Sequence, residues 1–150
     1  MMDGFSTSVA KELFARRPEW ERHASEEPGA RPGGPDRDHC LWVRFPGSPR
    51  DDEHLLELAT YDDEITVSLG PEHLHMGEDM TRDGALERLL DRVLELMDDL
   101  LSERLVAATR RLRIIGLTGG GFDTPEGAKD GLWWRVIKVR SWKGTHDRDT

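Results

Sequence analysis

A single cysteine, Cys40, among 150 residues excludes an intrachain disulfide and any zinc cage built on several thiolates. No run approaches the roughly 18 consecutive apolar residues that a membrane helix requires. The first thirty residues lack the apolar stretch of a secretory leader, because Lys11, Glu12, Arg16 and Arg17 interrupt them, so a cytoplasmic protein is expected. There is no internal repeat, and no G-x-G-x-x-G pattern opens a helix. Gly119, Gly120 and Gly121 do not make a phosphate loop, since no Lys followed by Ser or Thr closes them and Gly127-Ala128-Lys129-Asp130 breaks the order. Nucleotide binding is therefore not expected. With 36% hydrophobic and 34% charged residues, the chain is polar for a globular protein yet too apolar for a disordered one.

What the chain has in quantity is charge, and it is segregated. Residues 1–50 hold 8 basic and 8 acidic side chains and are neutral; residues 51–103 hold 3 against 17, or −14; residues 104–150 hold 10 against 5, or +5. These balances make up the net −9. An acidic field of that strength repels nucleic acid and anionic lipid and steers basic partners inward. Neither a nucleic acid nor a membrane is expected as a partner.

Punctuation by Pro and Gly divides the chain. Residues 1–25 read as an N-terminal helical arm, with Ser8 as a cap, Val9, Leu13 and Phe14 on one face, and Pro18 ending or kinking the helix. Residues 26–38, EEPGARPGGPDRD, have a linker composition. A body over 39–150 follows. CLWVRF at 40–45 alternates like a strand, and the runs 54–61 and 64–69 flank Asp62-Asp63 like a hairpin. Over 83–103, Leu86, Leu89, Leu90, Val93, Leu94, Met97, Leu100 and Leu101 recur at helical steps of three and four. Residues 105–117 and 132–142 read as two long strands joined by a glycine-rich loop. The expected fold is α+β: a mostly antiparallel sheet of about five strands, ordered β-β-β-α-β-β, on one long amphipathic helix. The helix leucines would bury against Ile65, Val67, Leu69 and Ile114.

Three constellations could carry chemistry. His73 and His75, two apart, would point to one side of an extended segment and could offer two metal ligands, with a third from His54, Glu78 or Asp79. Cys40 has no local nucleophile signature and reads as a small buried hydrophobe. Arg110, Arg111, Arg113, Arg135, Lys138, Arg140 and Lys143 lie among Trp133, Trp134 and Trp142, a mixture that can stack bases. The preceding acidic block opposes that use, and ion pairs between the two blocks are the alternative.

The acidic face of the long helix stands apart. Glu87, Asp91, Glu95 and Asp99 recur every four residues with Asp98 alongside, and like charges at that spacing disfavour a helix. Arg88 and Arg92 relieve only part of the repulsion. Such a stripe suits docking to a basic protein.

ITVSLGPEHLHM (65–76), RVIKVRSWKGTHDRD (135–149) and the acidic leucine-rich helix between them resemble a group of small bacterial proteins akin to the immunity proteins of polymorphic-toxin systems. The matching positions are the His73-x-His75 pair and the run from Arg140 to Thr145, within residues 40–149. The resemblance implies a protein that binds and blocks a toxin, with no catalytic residue and no cofactor. The function expected is thus a non-enzymatic protein-binding module using Glu87, Asp91, Glu95, Asp98 and Asp99. The alternative is a small metal-binding protein or metal-dependent hydrolase using His73 and His75.

Overall fold

The computed structural model describes residues 1–29 and 39–150, so most of the expected linker lies outside the described residues. The fold is α+β. Its strands, however, form two antiparallel sheets rather than one, of five and four strands.

The first sheet has the order β1-β2-β3-β4-β5, from β1 (Ala24–Pro28), β2 (His39–Phe45), β3 (Leu56–Tyr61), β4 (Glu64–Leu69) and β5 (Glu72–Gly77). Two of these strands were not expected. Ala24–Pro28, at the junction of the expected arm and linker, pairs antiparallel with β2, Glu26 facing Leu41 and Pro28 facing His39. Its Pro is tolerated because β1 is an edge strand. Glu72–Gly77, which carries the His73-x-His75 pair, is a full strand, and Pro71 sits in the turn before it. Gly70 takes φ +58°, and a Cβ there would lie 2.6 Å from the Glu53 carbonyl oxygen, so the turn requires glycine. The Asp62-Asp63 hairpin is present, with φ of 46° and 63°, both positive as a two-residue type I′ turn demands.

The second sheet has the order β7-β6-β8-β9, from β6 (Val106–Leu112), β7 (Thr118–Asp123), β8 (Trp134–Arg140) and β9 (Arg148–Asp149). The expected strand over 105–117 stops at Leu112, and the glycine-rich stretch expected as loop holds β7, which pairs with β6 from Val106–Asp123 to Arg111–Thr118. Turn-like composition hid a strand whose order comes from its neighbour. Ile114, expected in the core, is 70% exposed on the β6–β7 connection. Val106, Ala108, Ala128, Val136 and Val139 form a buried cluster instead.

Two α-helices complete the described residues: α1 (Gly4–Arg16) and α2 (Ala85–Leu101). Asp3 caps α1 by accepting from the Ser6 N–H at 2.6 Å, and Val9, Ala10 and Leu13 are buried. The helix lies along β2, and the Ser6 hydroxyl meets the Thr60 hydroxyl at 2.5 Å. The N-terminal segment is thus built into the fold by its own apolar stripe. A 3₁₀ turn over Pro18–His23 follows, its Trp20 stacking edge-on against Phe45. Along α2, Leu89, Leu90, Val93, Met97 and Leu100 are fully buried, the face the periodicity marked.

The chain forms two compact units, one of residues 1–45, 57–67 and 75–94, the other of 46–56, 68–74 and 95–150. No helix of the described residues is long and apolar enough to cross a membrane.

Candidate functional site

The outer face of α2 carries the expected acids. Glu87, Asp91 and Glu95 are exposed, while Asp98 and Asp99 are half-buried. Asp91 pairs with Arg16 at 2.6 Å and Asp99 with Arg104 at 2.6 Å. Arg88 donates to the Asp83 carbonyl and Arg92 to the Gly77 carbonyl, and both guanidiniums lie within 4 Å of Glu78. They turn toward the start of the helix and leave Glu87 and Glu95 without an ion pair among the described residues. The stripe therefore presents uncompensated negative charge one helical turn either side of the paired Asp91.

Several of the C-terminal basic residues are held in ion pairs within the chain. Arg110 pairs with Asp123 at 2.5 Å and Arg113 with Asp130 at 3.1 Å. Lys138 and Arg140 both bind Glu53, and Arg140 also grips Asp149 through Nη1 and Nη2 at 2.8 and 3.2 Å. Of the acidic block, Glu53 and Asp99 take part in these pairs, so the blocks do not simply neutralise one another. The Lys138 ammonium and the Arg140 guanidinium hold the Glu53 carboxyl below its ordinary range.

Beside this cluster stands an arrangement that sequence reasoning missed. His54 is buried, its Nδ1 2.5 Å from Asp51 Oδ1 and its Nε2 2.5 Å from Asp147 Oδ2. Asp147 Oδ1 accepts the Ser141 N–H at 2.9 Å, which aims that carboxylate. Glu103, at φ 58° just past the end of α2, accepts from the Lys143 N–H at 2.9 Å in the same C-terminal turn. The Asp-x-x-His spacing at 51–54 was a local signal, since Asp51 also caps the turn at His54. Asp147 carried none, being distant in sequence. With both ring nitrogens engaged by carboxylates and the side chain out of solvent, His54 ties the turn at Asp51 to the C-terminal segment.

His73 and His75 lie on β5, both exposed, and the His75 Nδ1 meets the Thr66 hydroxyl at 2.8 Å. No group of three His, Cys, Asp or Glu side chains able to hold a metal gathers among the described residues. Neither His54, Glu78 nor Asp79 completes the expected ligand set there. Cys40 is buried in β2 with no disulfide. Compared with known families, characterised proteins and solved structures, the chain shows no match.

Proposed function

We propose that this chain is a non-enzymatic protein-binding module that docks a basic protein through the exposed face of α2, in the manner of an immunity protein blocking a toxin. The observation that carries the reading is the pair Glu87 and Glu95, exposed and without an ion pair among the described residues while their arginine neighbours turn elsewhere. Leaving like charges uncompensated costs a few tenths of a kcal/mol per pair, which a chain shaped for stability alone would avoid. A basic partner makes the same charges useful, because exposed complementary charge raises the association rate. The metal-dependent alternative on His73 and His75 draws support only from their sharing one strand.

The test uses the tagged chain as bait in extracts of its host, at low and high salt, beside a Glu87→Gln/Glu95→Gln double variant. A stoichiometric basic protein held by the wild type at low salt, and lost with the variant, supports the reading. Recovery indifferent to the variant sinks it.

A further inference from the structure

We propose that this protein forms a two-fold homodimer through β7, the copies pairing edge to edge so that the apolar end of each second sheet covers a depression on the other. The proposal is independent of the acidic helix face.

The sheet edges differ in how they are protected. β1 carries Glu26, Glu27 and Pro28; β5 carries Glu72 and two histidines; β9 is two residues, Arg148 and Asp149. Charge, proline and shortness are the usual devices that stop an edge from pairing. β7, at the end of its sheet, opens Thr-Gly-Gly-Gly-Phe, without charge or proline until Asp123. A Cβ on Gly120 would strike the Glu72 carboxylate at 2.1 Å, whereas Gly119 and Gly121 have no heavy atom within 4 Å of that position. The chain itself fills one face of β7 and leaves the other open.

A group of exposed apolar side chains adjoins this strand. Ile114, Ile115, Leu117, Leu132 and Trp133 are 57–82% exposed, and Trp134 is 39% exposed. They lie at one end of the sheet: Trp134 pairs with Leu112, and the Arg113 N–H donates to the Trp133 carbonyl at 2.9 Å. Six such side chains at one end of a sheet are the kind of exposed apolar surface that marks an interaction site.

Antiparallel pairing of β7 with its copy sets Thr118 opposite Asp123, and so runs Leu117 and Ile115 past residues 124–126 of the other chain. That end of the molecule has a shallow depression of about 370 Å³ lined by Pro125, Glu126, Thr145, His146, Asp147 and Arg148. The charges match in the same register. Arg111 flanks the apolar end and Glu126 the opposite one, while Arg113 and Asp123 are already paired within the chain. A surface complementary to itself under a two-fold axis is what an isologous dimer needs. A bilayer does not meet the same demands, since hydrocarbon cannot satisfy the open backbone groups of an edge strand.

Sedimentation velocity on the full chain, from low-micromolar to submillimolar concentration, reads the outcome. The expected species is a dimer of twice the 17.1 kDa chain mass. Ile115→Asp/Leu117→Asp and, separately, Gly119→Lys/Gly121→Lys should each raise its dissociation constant on the order of a hundredfold. Circular dichroism and melting of each variant separate dissociation from unfolding, and the lysine pair, built where a Cβ has room, remains informative if the aspartate pair does not fold. A monomer throughout the range, or a dimer indifferent to both pairs, overturns the proposal. So does a monomer that floats with phosphatidylglycerol vesicles but not with phosphatidylcholine ones, which would assign the apolar end to lipid.

Discussion

His54 Nε2 lies 2.5 Å from Asp147 Oδ2, joining a turn before the first long hairpin to the C-terminal segment 93 residues later. The opposite ring nitrogen meets Asp51 at the same distance. An imidazole between two carboxylates satisfies both only when both its nitrogens carry protons. Burial pulls the His54 pKa down, but the Asp147 and Asp51 carboxylates outweigh it, and the net shift is upward from 6.5. Asp51 moves the other way, lowered chiefly by its hydrogen bond to His54.

This tie predicts a pH-dependent stability. With its folded pKa raised, His54 contributes fully below about 6.5, its unfolded value, and the contribution is lost as pH rises through the folded pKa. The Asp51 contribution is present above about 3.8, its ordinary value, and is lost as pH falls through the lowered one. Thermal melts of the wild type should therefore peak between those bounds and decline on the alkaline side. His54→Gln should cost about 1–3 kcal/mol near pH 6, by leaving buried acceptors short of a donor, and should flatten the alkaline decline. Parallel pH profiles for the two proteins would refute the tie.

Arg140 predicts a difference between charge and shape. Its side chain is 10% exposed and reaches Glu53 and Asp149 with a planar fork. Arg140→Met should lower stability by about 2–4 kcal/mol, since it removes charge-assisted hydrogen bonds from two partners at once. Arg140→Lys keeps the charge but not the fork and should recover less than half of the loss. Denaturant midpoints at constant slope measure both. Full recovery by lysine would show that charge alone matters there.

Two adjacent glycines give a steric contrast. The Glu72 carboxylate beside Gly120 is held by the Thr109 hydroxyl, so it cannot swing aside without losing that bond. Gly120→Ala should destabilise by about 1–3 kcal/mol through overpacking. Gly121→Ala enters open space on the opposite face and should be neutral or stabilising by up to about 1 kcal/mol, by restricting the unfolded chain. Equal effects at both positions would contradict the placement of Glu72 over β7.

Local signals in the sequence located the local elements. The leucine spacing marked the face of α2 that is buried, and Asp62-Asp63 marked a two-residue turn. The division into two sheets was not legible, because β1 and β7 owe their order to the strands they pair with. Their own composition, Glu-Glu-Pro and Gly-Gly-Gly, reads as loop. Ile114 was misplaced for a related reason: an apolar pair after a strand extends its pattern, and only Gly116, at φ 69°, reveals that the chain has already turned. The acidic stripe was visible at helical spacing, but not that Arg16 would reach Asp91. The His54 tie was half visible, through Asp51, and half hidden in Asp147.

The two faces of α2 should respond oppositely to substitution. Leu90 is fully buried, so Leu90→Ala should cost about 2–5 kcal/mol through lost transfer energy and the cavity left behind. Any loss of partner binding by that variant should track its unfolded fraction and return on cooling. Glu87→Gln/Glu95→Gln should leave the melt unchanged or raise it by a few tenths of a kcal/mol, because like charges at helical spacing are relieved. Asp91→Asn removes an exposed pair with Arg16 and should cost no more than about 1 kcal/mol. Melts at low and high salt measure all three, and screening should shrink the gap between the Gln variant and wild type. A clear drop in melting temperature for the Gln variant would mean that Glu87 and Glu95 hold stabilising pairs, and the charge on that face would then be structural rather than reserved for a partner.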